Sequence, residues 1–182
     1  MANLSDVSGT LTITAKDWKE CEEILSLIEL ITNHWYYNFD TQGEPWLAGG
    51  SMGPDPENDT EWLGINFTAS GRWSFANNIE RFGAWLQNTK DPEAQLYIKK
   101  LTEKEFKLFF DYNEDEPGVS FIGVGTALLH HKANIPLEEM EVIDQDFEEY
   151  ELTVENLVEL RDFDEDYAKQ YLGEIYESNS NC

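Results

Sequence analysis

Gly9-Thr10-Leu11-Thr12-Ile13-Thr14-Ala15, running directly into Lys16-Asp17-Trp18, is the stretch on which the fold turns. Leu11, Ile13 and Ala15 fall on one side of an extended chain, and Thr10, Thr12 and Thr14 on the other. That is the period-two pattern of a strand buried on one face. From Asp17 the period changes. Trp18, Cys21, Leu25, Ile28 and Thr32 form one stripe, widened by Ile24, Leu27 and Ile31, and the spacing predicts a helix of about 15 residues.

Working outward, residues 34–39 are aromatic-rich and read as a second strand. The Gly- and Pro-rich run 40–60 reads as a long loop, and residues 62–69 resume alternation through Leu63, Ile65, Phe67 and Ala69. Ser74 is placed to cap a helix with the stripe Phe75, Ile79, Phe82 and Leu86. Asp91-Pro92 opens a further short helix. Phe106, Leu108, Phe110 and Tyr112 then alternate, although Thr102 with Glu105 also fits a capping box, so a short helix is the alternative there. Residues 113–118 form an acidic turn, and 119–129 return as a hairpin partner.

The predicted fold class is therefore α+β. A ferredoxin-like β-α-β-β-α-β core occupies residues 1–112, and a C-terminal hairpin with an acidic α/β extension occupies 113–182, all within one compact domain spanning 1–182. Beyond Pro136, strand fragments around Met140, Val142, Tyr150 and Leu152 are interrupted by charge. Thr153 caps a short helix, and a last helix covers 164–177 with Tyr167, Tyr171, Leu172 and Ile175 as its stripe.

Charge is the other dominant feature. The 182 residues carry 37 acidic against 12 basic side chains, a net of -25, yet 41% are hydrophobic and 13% aromatic. A disordered acidic chain lacks that apolar content, so this one folds. Residues 1–100 hold 15 acids and 7 bases, and residues 101–182 hold 22 acids and 5 bases. Between residues 138 and 166 there are 14 acids and a single base, Arg161. Glu138, Glu139, Glu141, Asp144, Asp146, Glu148, Glu149 and Glu151, then Asp162, Asp164, Glu165 and Asp166, are the candidate partner-binding residues. Asp111, Glu114, Asp115 and Glu116 form a second cluster at the predicted hairpin tip.

Carboxylates two apart on a strand repeat at roughly 6.5 Å, which presents a row of charge to a basic partner; the same row fits an ordinary solvated face. Acidic bias for solubility, or a salt-adapted composition, would also produce such a total. Direct binding to nucleic acid or to an anionic membrane is disfavoured, because phosphate contacts need cationic or hydrogen-donating groups.

Catalytic and metal signals are weak. His34 is isolated in sequence, and the adjacent His130 and His131 face opposite ways on a strand. Asp55, Glu57, Asp59 and Glu61, like Asp162, Asp164 and Asp166, alternate as in a calcium loop but lack its glycine and terminal acid. Gly123-Val124-Gly125-Thr126 lacks the further glycine and helix start of a dinucleotide site. Gly71-Arg72-Trp73-Ser74, followed by Phe75-Ala76-Asn77-Asn78, joins a strand to a helix start, where capping and packing account for it as well as a site does. No catalytic residue, cofactor or metal is assigned. Residues 1–8 lack a secretory signal, and only Cys21 and Cys182 are present, which predicts a cytoplasmic protein with free thiols.

The small size, strong acidity and missing catalytic signature resemble phage- and mobile-element-encoded anti-defence proteins, including anti-CRISPR and anti-restriction DNA mimics. Ser8-Gly9-Thr10-Leu11-Thr12-Ile13-Thr14 with Gly71-Arg72-Trp73-Ser74 is also similar to ferredoxin-like accessory proteins of phages and plasmids, over the first half of the chain. The resemblance implies a non-enzymatic, stoichiometric inhibitor acting in the host cytoplasm. Its partner is a basic nucleic-acid-binding protein, a host CRISPR or restriction nuclease, whose nucleic-acid groove the acidic surface occupies. The alternative is an immunity or adaptor protein that binds a cationic protein without imitating DNA.

Overall fold

The computed structural model describes residues 4–35, 38–48, 62–72, 74–116 and 121–180. In it the period-two stretch is β1 (Leu4–Thr14) and the following helix is α1 (Trp18–Thr32). Asp17 is extended and its side chain accepts the Glu20 N–H at 2.9 Å, satisfying one of the orphan donors at the helix start. The helix buries Cys21, Ile24, Leu25, Leu27, Ile28 and Ile31, the stripe read from the sequence, against the inward side chains Val7, Leu11 and Ile13 of β1.

The remaining strands are β2 (Phe39–Leu47), β3 (Trp62–Arg72), β4 (Phe106–Glu116), β5 (Phe121–His131) and β6 (Glu141–Glu151). The remaining helices are α2 (Phe75–Ile79), α3 (Phe82–Gln87), α4 (Pro92–Thr102), α5 (Val154–Arg161) and α6 (Glu165–Ser180). The six strands form one sheet in the order β2-β3-β1-β4-β5-β6, and every neighbouring pair is antiparallel. The chain is thus α+β, as expected.

The hairpin and acidic segment expected beyond residue 112 continue the sheet of the first four strands. β4 runs straight through residue 112, β5 and β6 continue the same sheet, and Ala127, Leu129, Leu137 and Met140 join the core that holds Leu11 and Ile28. Apolar residues on both sides of residue 112 thus share one core.

Three local expectations also change. The strand expected at 34–39 lies further on: β2 starts only at Phe39 and runs to Leu47 within the stretch read as loop, with Gly43 at φ +80° and a register break between Gln42 and Trp46. An edge strand tolerates this, because Pro45 owes no N–H to a second neighbour. The helix after Ser74 is two short helices, and Ser74 makes no side-chain cap. Beyond Pro136, a 3-10 turn at Leu137–Glu139 leads into the continuous 11-residue strand β6 instead of fragments.

One face of the sheet, the inner one, is covered by α1–α4 and the 3-10 turn, with Phe39, Phe67, Phe75, Phe82 and Phe110 packed ring against ring. On the outer face a second cluster, Ile122, Leu152, Leu157 and Ala168, forms where α5 and α6 cross one end of β5 and β6. Elsewhere the outer face presents Ser8, Thr10, Thr12, Asn66 and Asp111, none of them buried. The Thr side of the opening stretch therefore faces outward, and the Leu and Ile side faces the core.

Candidate functional site

β6 is an edge strand, paired only with β5. Its carboxylates Glu141, Asp144, Asp146, Glu148, Glu149 and Glu151 are all exposed. Register divides them. Asp144, Asp146 and Glu148 lie opposite Leu128, Thr126 and Val124 on the outer face, whereas Glu149 and Glu151 share the other side with Phe147, opposite Gly123 and Phe121. Phe147 and the hydroxyl end of Tyr112 occupy the space beside Gly125, where an added Cβ would lie 2.9 Å and 2.6 Å from them. The two glycines of Gly123-Val124-Gly125 thus seat the strand that carries the acids, and Gln145 fixes it to α2 by donating to the Ala76 carbonyl at 2.7 Å.

Asp111 joins the outer-face acids. It pairs with Thr126, which pairs in turn with Asp146, so the two aspartates stand on one lateral row two strands apart, about 10 Å. Among the described residues the single ion pair of a β6 carboxylate is Lys132 to Glu141, at 3.0 Å. Glu138 and Glu139 are exposed on the 3-10 turn, on the inner side next to α3. Asp162, Asp164, Glu165 and Asp166 are exposed at the α5–α6 junction. There Asp162 ends α5 in the left-handed conformation, Asp164 accepts the Tyr167 N–H at 2.8 Å, and Lys169 beside Glu165 holds that carboxyl below its usual range. The candidate acids line the β6 rim of the sheet and spread onto both sides of it.

The hairpin-tip cluster is different and needs correction. Alternation along β4 continues to its end, so Glu114 points inward. It is 1% exposed and accepts hydrogen bonds from the Ser74 hydroxyl at 3.1 Å and from the backbone N–H groups of Phe75 and Ala76. Glu114 is the missing cap of α2, delivered from a strand 40 residues later. Asp115 faces outward but is held by Arg161 at 2.8 Å and by the Tyr171 hydroxyl at 2.9 Å. Only Asp111 of this cluster is freely presented.

Arg161, the one base of residues 138–166, is turned away from those acids. Its side chain is 6% exposed, and its guanidinium donates to Asn113, to the Glu114 and Gly123 carbonyls at 3.1 and 3.0 Å, and to Asp115. The counterion suggested by the sequence count is spent on β4, leaving the stretch's 14 acids without a basic residue of their own. Sequence spacing carried no sign of this, because Arg161 and Asp115 lie 46 residues apart.

Glu116 sits beside Glu114 and Glu149. Burial first, then those two like charges, raise its carboxyl above the usual range. The folded state then retains a proton the unfolded chain has lost, so this group's contribution to stability falls as pH rises from 4.5 through the folded value. Urea midpoints measured from pH 4 to pH 7 are expected to diverge, with Glu116→Gln gaining on the wild type as pH rises.

Burial pushes the Cys21 thiol up to about 11, and its sulfur faces the Ile13 carbonyl, so it is no nucleophile at neutral pH. His131 is buried between the carbonyls of Lys104 and Ile135, each at 2.8 Å. His34, isolated in sequence, meets Asp91 and Glu93, with donor atoms all within 4.8 Å. All three are exposed, Asp91 caps α4, and Glu93 accepts from Tyr97. Asp55, Glu57, Asp59, Glu61, Trp73 and Cys182 lie outside the described residues.

Compared with known proteins, the chain matches no family model, no curated protein and no solved structure. No helix among the described residues is long and apolar enough to cross a membrane.

Proposed function

We propose that this protein is a stoichiometric inhibitor of a host defence nuclease, most specifically an RNA-guided one, whose nucleic-acid groove it fills with the β6 rim. The observation that carries the reading is the edge strand with six exposed carboxylates and, among the described residues, one cation in contact, while Arg161 is engaged on β4 and β5. A strand held on β5 offers its charges pre-ordered, so binding sacrifices little conformational freedom. Acids of this density cannot themselves hold phosphate, but they complement the arginines and lysines that do. No enzymatic step and no cofactor is required, and the site of action is the host cytoplasm.

The order β2-β3-β1-β4, with α1–α4 on one face, also supports reading the first four strands as a ferredoxin-like unit whose sheet β5 and β6 extend.

The test is the combined variant Asp144→Asn, Asp146→Asn, Glu148→Gln and Glu149→Gln. At about 0.5 kcal/mol for each exposed charge, affinity for the purified nuclease is expected to fall roughly thirtyfold, with circular dichroism unchanged. Duplex DNA should compete with the wild type. Unchanged affinity in the variant would overturn the reading. A ternary complex with DNA would instead favour the immunity or adaptor function, in which a cationic protein is bound away from its nucleic-acid groove.

A further inference from the structure

The outer face of the sheet carries α5 and α6 at one end, and across the rest of it strand pairing sets the side chains in lateral rows. One row crosses all six strands: Trp46, Gly64, Thr12, Phe109, Leu128 and Asp144. It spans five strand spacings, about 24 Å. The Trp46 indole lies over Gly64, where an added Cβ would come within 2.6 Å of its Nε1 and Cε2 atoms. The ring is thus seated on β3 while the residue stays 39% exposed. Thr12, Phe109 and Leu128, each half-buried, continue the strip across β1, β4 and β5.

Antiparallel sheets commonly leave one face to water, with polar side chains on it. The next two rows toward α5 and α6 fit that pattern and hold Asp111 and Asp146, then Asp40 and Glu148, all of them exposed. The Trp46 row does not fit it. Together the three six-residue rows contain five carboxylates and no basic side chain. A second copy of this chain would set those acids against their own kind, and a nucleic acid or anionic membrane would meet the same repulsion. The complement of this face is an apolar stripe flanked by cations, which a helix presents when its hydrophobic residues recur at i, i+3, i+4 and i+7.

We propose that the outer face receives a basic amphipathic helix of a protein partner. Its apolar stripe rests on Trp46, Phe109 and Leu128, and its lysines or arginines meet Asp111, Asp144 and Asp146. The inference rests on the β6 rim being a docking site for a basic protein, and it supplies that site with an apolar centre. Exposed charges steer an encounter, whereas a desolvated aromatic patch holds the complex together.

The probes are two peptides of about 18 residues, five helical turns. One has leucines at helical spacing among lysines, and in the other serine replaces each leucine. Titrations into the full chain are followed by amide and indole resonances. The leucine peptide is expected to saturate, shifting Thr12, Phe109, Leu128 and the Trp46 indole, and to bind at least tenfold more tightly than the serine peptide. The double variant Phe109→Thr, Leu128→Thr should abolish that advantage and leave the serine peptide's affinity unchanged. Threonine suits a strand, so the urea midpoint should hold. Trp46→Ser, on the edge strand, is the second variant and should also weaken the leucine peptide alone. Equal affinities of the two peptides for the wild type, no binding of either, or a leucine-peptide affinity that these substitutions leave unchanged would each overturn the proposal. Neutralising Asp144, Asp146, Glu148 and Glu149 should weaken both peptides alike. If it weakens neither, the rim reading falls and this inference with it; if only the leucine advantage is missing, the inference fails and the rim reading survives.

Discussion

Replacing Glu114 with alanine is expected to lower the free energy of unfolding by about 3 kcal/mol, read from urea denaturation followed by circular dichroism. The loss comes from the donors stranded behind it. The Phe75 and Ala76 N–H groups open a helix whose own Ser74 makes no cap, and Glu114 is their shared acceptor. The Ser74 hydroxyl can turn elsewhere; the two backbone groups cannot. Glu114→Gln keeps one carbonyl oxygen and should lose about half as much, since its amide end presents donors to donors. A docking role for Glu114 predicts the opposite pattern, with stability intact and partner affinity reduced. Unchanged urea midpoints in Glu114→Ala would therefore restore it to the partner-binding set.

Arg161→Met is expected to be costlier still, about 4 kcal/mol, as is typical when one member of a buried ion pair is removed. Arg161 is the tie between α5 and the β4–β5 ladder, and without it Asp115 stands opposite Asp6 on β1, like charge facing like. Lysine is a poor replacement, because one ammonium cannot serve a carboxylate, an amide oxygen and two carbonyls arranged around a planar fork. Pairing Arg161→Met with Asp115→Asn should recover part of the loss, and that recovery measures the charge pairing separately from the other bonds. Full additivity of the two substitutions would show that the pair is not coupled.

These two residues mark the boundary of what the sequence discloses. Local periodicity places β1, α1, β4 and β5 well, because each buries one face and its apolar spacing records that burial. β6 is read as fragments because, as an edge strand, it buries almost nothing and has no apolar alternation to show. β2 itself is hidden by Gly43 and Pro45, residues that punctuate turns yet are tolerated on an unpaired edge. The acidity of residues 138–166 and its placement on ordered elements are visible directly. That Glu114 faces inward follows from the alternation of Phe106 to Tyr112 if the strand is carried two residues further. That Arg161 faces away from its own acidic neighbours does not follow from any local pattern, since its partners are set by the tertiary pairing of distant strands.

The position of β1 in the sheet has a consequence for how the sheet is assembled during synthesis. Thr10 pairs on one side with Asn66 and on the other with Asp111. β1 is thus a central strand whose second neighbour emerges from the ribosome about a hundred residues after it. Such distant closures are slow, because the loop entropy is lost before the contacts are gained. β6 attaches only to β5, and β5 to β4, so the acidic rim has no template until that late closure is complete. A half-made chain of residues 1–100 carries 15 of the 37 acids and none of the rim; on the function proposed above, the docking surface is displayed only after the sheet is complete.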